Sequence, residues 1–476
     1  MARDDVDDLV EGLIDGRVSR QQFLARALAL GLSASAIGSI LAAHGEAFAA
    51  TSTSGVAGLP WPKVAVPEPS SKVTLSVANA WDPETWARQK QFDKLFMQRH
   101  PNIVVKAENT PWVNFLQKYE AQAAGGTLPD VMYVHFSWAQ NLIKQGFIIA
   151  LDGYIARQHD FNLGDFTKPS LISYRNRKDG KLYGLPYDED PGVLFYNKGI
   201  FDKAHVQYPT EHWTLDDLKK TAIKLTRGKG AEKVFGFGGA FLSAGNAGLA
   251  PPFLFPFGAQ YTNAAQTKCL IDSPAAVKAM EWWIELQFKY GAMPTPAELR
   301  TMQQDPFMLG RVAMDLNGAW YTRSLVISSN VRWGMTMWPR GPKAHVTFSE
   351  GSAYAITSQS QQKDAAWIYL NEYTSGAGQA FMGGIPAIFT PARKSAWPAL
   401  SKGLLARYKD PTLPQVVEKS ELEFASHQVI DNPGAPQEMQ KAGAIWDLVT
   451  NRKMSVKEAL HQICQTIDPL LAANAT

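Results

Sequence analysis

Tyr187-Asp188-Glu189-Asp190 sets several ionisable groups side by side. In an extended run Asp188 and Asp190 share one face while Glu189 points the other way. Two carboxylates on one face could act as acid and nucleophile on a glycoside, but such a pair must flank the scissile bond. Neighbours on one strand view a sugar from the same side. Accepting hydrogen bonds from hydroxyl groups makes no such demand. Binding is therefore the expected role of the cluster, with glycoside hydrolysis through Asp188 and Asp190 as the alternative.

Other catalytic patterns are missing from the sequence. There is no Gly-x-Ser-x-Gly elbow and no P-loop, and Gly236-Phe237-Gly238-Gly239-Ala240-Phe241 fails the dinucleotide pattern at its last glycine. The nine histidines are scattered; the nearest pair, His205 and His212, lacks the i,i+4 spacing of a helical metal site. Neither a cofactor nor a metal is expected. Cys269 and Cys464 cannot form a disulfide framework or a four-thiolate zinc site. They could pair after export, although sequence alone does not bring them within bonding distance. Flat aromatic surface is in surplus, with 14 Trp, 15 Tyr and 23 Phe in 476 residues.

The elements that must position these groups follow a regular rhythm. Residues 72–78 alternate polar and apolar as a first strand, and residues 85–100 place Trp86, Phe92, Leu95 and Phe96 at helical spacing before Pro101. A second strand at 103–105, a helix at 113–124 ended by Gly125-Gly126, and a third strand at 130–134 continue the alternation. It resumes after residue 190 and predicts an α/β fold of two lobes, each a mainly parallel sheet flanked by helices. Open α/β sheets bind ligands at the carboxyl ends of their strands. That rule singles out Trp81 and Asp82 after the first strand, and His135, Ser137 and Trp138 after the third. Asp82 could equally cap a helix. Trp112, after Asn109-Thr110-Pro111, could equally be a packing residue.

The first fifty residues differ from the rest. Arg17, Arg20 and Arg26 precede an uncharged run, residues 27–43, and then Ala47-Phe48-Ala49. Basic region, apolar region and small-x-small site in that order read as an export signal over 1–49, cleaved near Ala49, which predicts a periplasmic protein. The uncharged run falls short of the roughly 20 apolar residues needed to span a bilayer. Ser19-Arg20-Gln21-Gln22-Phe23-Leu24 resembles a degenerate twin-arginine motif, with Gln21 in place of the second arginine. Residues 50–71, rich in Pro, Ser and Gly, read as a flexible lead-in. Removing 1–49 raises the net charge from +3 to +6, but the basic residues are spread along the chain, so no nucleic-acid partner is expected. A composition 19% charged and 45% hydrophobic also excludes a long disordered chain, a collagen-like repeat and a coiled coil.

Several blocks together resemble the extracellular solute-binding proteins of the sugar-binding, maltose-binding-like type. These are Leu128-Pro129-Asp130-Val131 with Leu151-Asp152-Gly153-Tyr154-Ile155; Asp179-Gly180-Lys181-Leu182-Tyr183-Gly184-Leu185-Pro186 through Tyr196-Asn197-Lys198; and Trp213-Thr214-Leu215-Asp216-Asp217-Leu218. Gly310-Arg311-Val312-Ala313-Met314 with Asn317-Gly318-Ala319-Trp320, then Glu350-Gly351-Ser352-Ala353-Tyr354, complete the order over residues 72–465. The resemblance implies a two-lobed periplasmic-binding fold of type II, hinged at a central cleft that captures a mono- or oligosaccharide. It implies lobes of 72–190 plus 351–425 and of 191–350 plus 426–470, and delivery of the ligand by a monomer to the permease subunits of an ABC importer. It further implies that Trp320 stacks on the ligand, that Asp190 is an acidic ligand group near the hinge with Tyr187 and Asp188 beside it, and that Gly351 and Ser352 present backbone amides. Asn246 enters by alignment position. Ser137 and Trp138 stand where a charged pair can occur in that family, which leaves the type of sugar open; separately, the same receptor fold binding a polyol, glycerol phosphate or polyamine is an alternative, the polyamine through Asp82, Asp188 and Asp190.

Overall fold

A computed structural model describes residues 59–238, 250–302, 304–328, 331–426 and 433–474. The proposed export signal and Asn246 lie outside the described residues. The strands are β1 (Val73–Asn79), β2 (Ile103–Asn109), β3 (Val131–His135), β4 (Leu185–Pro186), β5 (Asp190–Asn197), β6 (Phe235–Phe237), β7 (Val312–Gly318), β8 (Trp333–Met337), β9 (Thr347–Glu350), β10 (Ser352–Ile356) and β11 (Ala425–Ser426). The helices used below are α1 (Pro83–Arg99), α2 (Trp112–Ala124), α3 (Phe136–Lys144), α4 (Leu215–Leu225), α5 (Pro274–Phe288), α6 (Tyr321–Ser328), α7 (Lys363–Tyr373), α8 (Trp397–Tyr408), α9 (Leu413–Lys419), α10 (Ala435–Thr450) and α11 (Val456–Ala473).

Local chemistry explains where several of these elements begin. Asp82 caps α1 by accepting from the amides of Glu84 and Thr85, and Pro83 supplies the preset first-turn dihedral. Thr214 with Asp217 and Ser455 with Glu458 form capping boxes at α4 and α11. The apolar stripes of α1 and α7 then meet over the first sheet, where Phe92, Phe96, Trp367 and Tyr369 are fully buried. On the second lobe α4, α5 and α11 bury Leu218, Trp283 and Ile463.

The first sheet runs β2-β1-β3-β10-β4 and the second β11-β9-β5-β7-β6, with β8 also paired to β5. Pairs among β1, β2 and β3 are parallel, as is β6 with β7. Strand β5 is antiparallel to β7, β8 and β9, and β10 to β3 and β4, so both sheets are mixed. The cause is chain direction: β4 and β5 carry the chain from the first sheet to the second, and β9 and β10 bring it back. Only Tyr187, Asp188 and Glu189 separate the first pair, and only Gly351 the second. A Cβ on Gly351 would lie 2.2 Å from the Asp188 carbonyl oxygen, so the two crossings touch because position 351 has no side chain.

Two stretches depart from the boundaries expected from sequence. The lead-in is tied down from residue 59. The Trp61 ring packs on Phe92 and Phe381 beneath the Arg99 guanidinium, and Gln158 both accepts from the Ala65 amide and donates to the Lys63 carbonyl. One aromatic anchor among prolines outweighs the local turn composition. Helix α9, expected with the first lobe, shares one apolar cluster through Leu413 and Val416 with Val193, Phe195 and Met335 of the second sheet, and β11 pairs with β9, whereas α8 lies against the turn after Phe381 and Met382 of the first core, where a Cβ on Gly403 would come within 2.3 Å of the Gly384 carbonyl oxygen. An amphipathic helix declares that it has a buried face, but not which sheet it covers. Cys269 and Cys464 form a disulfide joining the loop before α5 to α11, within the second lobe. Among the described residues no helix is long and apolar enough to cross a membrane.

Candidate functional site

The carboxyl ends of β1 and β3, and the start of α2 after β2, deliver Trp81-Asp82, His135-Ser137-Trp138 and Trp112 to one edge of the first sheet. The second lobe meets them through Arg323 in the first turn of α6, which reaches Asp82, and through α10, which packs against α3. Lobe-to-lobe contacts bracket this gap. Arg323 Nε on α6 lies 3.4 Å from Asp82 Oδ2, Arg407 of α8 makes two 3.0 Å contacts with Glu84 of α1, and Lys144 of α3 donates to Asn474 beyond α11 at 3.1 Å.

The aromatic residues singled out from sequence divide into two groups. Trp81 and Tyr187 are core residues, 8% and 1% exposed. Trp81 lies parallel to Phe389 and edge-on to Tyr187 and Tyr133, and its indole donates to Asn79 Oδ1 at 3.1 Å. Tyr187 also packs against Tyr354 and Tyr373. Both rings are held by packing within the first core. Trp138 is buried too, parallel to Phe115. Trp112 is 48% exposed and leans on Trp138 and His135, so one flat face is supported and the rest is open. Trp320 is half-buried at the end of β7. Its ring covers Gly318, where an added Cβ would come within 1.8 Å of it, and it abuts Phe348.

The polar residues divide in the same way. His135 bonds through Nδ1 to Ser137 Oγ at 2.8 Å, and burial pushes its pKa down to about 3, so it stands neutral. The Ser352 amide is not available to a ligand: it donates to Asp188 Oδ1 at 2.6 Å, while Ser352 Oγ donates to the Tyr133 hydroxyl. Gly351 offers its carbonyl inward, accepting from Tyr174 and from the Phe136 amide. Asp190 is 2% exposed; its Oδ1 accepts from the Thr390 amide at 3.0 Å, and it lines a cavity of about 10 Å³ with Thr322, Thr390 and Val417. Burial raises its pKa to about 6, against the lowering effects of Thr390 and Arg323. Asp188 is half-buried and its pKa is raised by burial and by Asp190, with the Ser352 amide and Arg323 pulling it back. Glu350, half-buried where β9 ends, is pushed up to about 8 by burial and by Asp190.

Glu189 faces inward, as the alternation along the run requires. Ser349 Oγ lies 2.7 Å from Glu189 Oε1 and 2.7 Å from Glu421 Oε2, all three side chains being buried. A hydroxyl has one proton to donate. One of the two contacts must therefore be a carboxylic acid donating to Ser349 Oγ, and the trio holds at least one carboxyl proton. Burial and mutual repulsion raise Glu189, and burial pushes Glu421 up to about 8, which agrees with this count.

Sequence reasoning missed Arg323, Glu350 and the Glu189–Ser349–Glu421 trio. Arg323 was the most accessible of these, because it lies three residues beyond Trp320, in the first turn of the helix that follows β7.

Two α/β lobes joined by closely spaced crossings, with rings and carboxylates gathered between them, define a binding protein built around a cleft. The sequence profile described as bacterial extracellular solute-binding protein matches residues 80–380. The chain belongs to this family. A protein of Brucella abortus strain 2308 designated a binding protein is 25% identical over 320 residues, covering 66% of this chain and 75% of its own. The maltodextrin-binding protein MdxE of Bacillus subtilis is 22% identical over 389 residues, 79% of this chain and 89% of that protein. Among solved structures, the ABC substrate-binding protein Lmo0181 of Listeria monocytogenes, in complex with cycloalternan, superposes with a TM-score of 0.73 at 22% identity, covering 84% of this chain and 99% of that one. That likeness fixes the fold as the type II periplasmic-binding architecture.

Proposed function

We propose that the chain is an exported receptor that captures a carbohydrate between its lobes and presents it to the permease subunits of an ABC importer. One observation carries this reading: Arg323 of the second lobe lies 3.4 Å from Asp82 at the carboxyl end of the first sheet, the same sheet edge from which the half-exposed ring of Trp112 starts α2. A sugar needs a flat apolar surface for its C–H face and fixed acceptors and donors for its hydroxyls. Family membership supports the role of receptor, and the maltodextrin- and cycloalternan-binding relatives support the ligand class. The crossings at 187–189 and 351 serve as hinge segments, and closure brings Asp82 and Arg323 together. In this reading residues 1–49 direct export and are removed near Ala49, and the mature chain acts as a monomer without a nucleic-acid partner.

The ligand-facing set is then Asp82, Trp112, Asp188, Trp320, Arg323 and Glu350, with Trp81, His135, Ser137, Trp138, Tyr187, Asp190, Gly351 and Ser352 holding it in place. Hydrolysis is disfavoured because Asp190 is buried against its own cavity rather than placed across a bond from Asp188. The test is a thermal-shift and calorimetric screen of residues 50–476 against neutral mono- and oligosaccharides, polyols, glycerol phosphate and polyamines. A ligand at 100 times its Kd adds about 2.7 kcal/mol of stability. Saturable sugar binding without turnover supports the reading; release of hydrolysed product, or binding of charged ligands alone, overturns it.

A further inference from the structure

The lead-in to the first lobe is gripped by charged groups at the amino ends of β1 and β2, opposite the carboxyl ends that form the candidate site. Asn102 Nδ2 donates to the Pro69 carbonyl at 2.8 Å, and the Val73 amide at the start of β1 donates to the Asn102 carbonyl at 2.9 Å. His100, between α1 and β2, bonds through Nδ1 to Glu68 of the lead-in and through Nε2 to Glu372 Oε1 of α7 at 2.9 Å. Glu372 also accepts from Arg99, with Nη2 at 2.6 Å and Nε at 3.2 Å. The Arg99 guanidinium in turn covers the ring of Trp61. Trp61, Arg99, Glu372, His100 and Glu68 therefore form a chain of contacts that leaves the lead-in, crosses α1 and α7 and returns to it.

A neutral imidazole has one N–H and one acceptor nitrogen, and a carboxylate only accepts. Contacts from both ring nitrogens to carboxyl oxygens therefore require a second proton. Neither carboxyl group is a good place for it: Glu372 is shared with Arg99, and Glu68 is 45% exposed, so water solvates its anion. The proton belongs on the ring, and His100 stands as an imidazolium. Against burial, the bonds to Glu372 and Glu68 raise its pKa above the usual imidazole value. Also against burial, His100 and Arg99 hold Glu372 below the ordinary carboxylate range. The groups that face the ring are Glu68 from the lead-in, Glu372 from α7, Arg99 beside it at the end of α1, and the uncharged ring of Phe96.

We propose that residues 59–71 form a pH-dependent strap, in which protonated His100 fastens Glu68 to α7 and loss of that proton frees the stretch after Val66. The hold on the earlier stretch does not titrate: Val66 is buried in the first core, and Gln158 bonds Lys63 and Ala65. Release is thus local to residues 67–71, where the neutral bond from Asn102 to Pro69 remains. Because the folded pKa of His100 is raised above its ordinary 6.5, the clamp is complete below that value and is lost as pH rises through the folded one. The strap lies beyond the receptor reading and does not depend on which ligand the cleft takes.

The experiment is limited proteolysis of the full chain with subtilisin from pH 6 to pH 10. Cleavage between residues 63 and 72 is followed by mass and normalised at each pH to a free peptide of the same sequence. In parallel, NMR of nitrogen-15-labelled imidazoles gives the titration of His100, assigned by its absence in His100→Gln. In the parent, His100 titrates above pH 6.5, and cleavage speeds up at least about fivefold across that titration, the size expected for a partly exposed charge-assisted bond. Glu68→Ala, at an exposed position, is cleaved at the fast rate throughout and has a lowered His100 pKa. His100→Gln loses the pH dependence of cleavage. A His100 that titrates at or below 6.5 overturns the proposal, as does parent cleavage unmoved by pH, or a Glu68→Ala variant protected like the parent.

Discussion

Asp188 and Glu189 are neighbours on the same extended crossing, yet their carboxyl groups live in different surroundings. Asp188 is half-buried at the interlobe gap, held by one backbone amide and influenced by a guanidinium from the other lobe. Glu189 is 1% exposed and shares the Ser349 hydroxyl with a second buried carboxyl, that of Glu421. One face of the strand is equipped to meet something that comes and goes. The other joins three stretches of chain distant in sequence, at 189, 349 and 421, where the lobes meet. The comparison teaches that carboxyl groups need not all be ligand groups because they cluster in sequence; alternation along a strand assigns them to different tasks.

The inward face is the more costly to break. Ser349→Ala removes the atom that both buried carboxyl groups use, and leaving such groups without a partner costs about 1–3 kcal/mol each. We expect a loss of about 2–4 kcal/mol in chemical denaturation, with ligand affinity at pH 7 little changed in the folded fraction. A stability equal to that of the parent would show that the trio does not hold the crossing together.

The same trio predicts a direction for pH dependence. Its folded-state carboxyl pKa values are raised, that of Glu421 to about 8, above their unfolded values near 4.5. The folded chain therefore binds more protons across that window, and the trio's contribution is complete below the unfolded pKa and lost as pH rises through the folded one. Unfolding free energy should fall between pH 5 and pH 8, with a limiting slope of about 1.4 kcal/mol per pH unit for each proton held, and melting temperature should fall with it. Glu421→Gln keeps an amide donor for Ser349 and should flatten that slope. A slope unchanged in Glu421→Gln would place the retained proton elsewhere.

Much of this architecture is written locally. The caps at Asp82-Pro83, Thr214 to Asp217 and Ser455 to Glu458 mark helix starts within four residues. The alternation at 188–190 states that Glu189 must face away from its neighbours. Ser349, in contrast, meets Glu189 from 160 residues away and Glu421 from 72, and no local pattern carries such a pairing. Aromatic content misled for a related reason. Trp81 and Tyr187 were candidates because they flank a strand end and an acidic run, but rings at strand ends also fill the core, and only the packing of Phe389 and Tyr354 onto them decides between the two.

On the outward face the expected effects are smaller and appear in affinity. Asp188→Asn keeps an acceptor for the Ser352 amide and removes the charge. Because burial already disfavours that charge, stability at neutral pH should hold, while sugar affinity falls about fivefold through loss of one of the two carboxyl oxygens as an acceptor. A drop in stability with affinity unchanged would move Asp188 to the structural side of the comparison.

Trp112→Ala makes the smallest expected change and sharpens the contrast furthest. The ring is 48% exposed, so its removal should alter stability by no more than about 0.5 kcal/mol. A ring that stacks on a ligand is worth about 1 kcal/mol beyond its buried area, so affinity should fall roughly fivefold. Trp81→Ala is the matched control from the core beneath, where a cavity among Tyr133, Tyr187 and Phe389 should cost about 3–5 kcal/mol of stability. If Trp112→Ala left affinity untouched, its exposed face would be incidental surface, and the aromatic contribution to the cleft would rest on Trp320 alone among the rings considered.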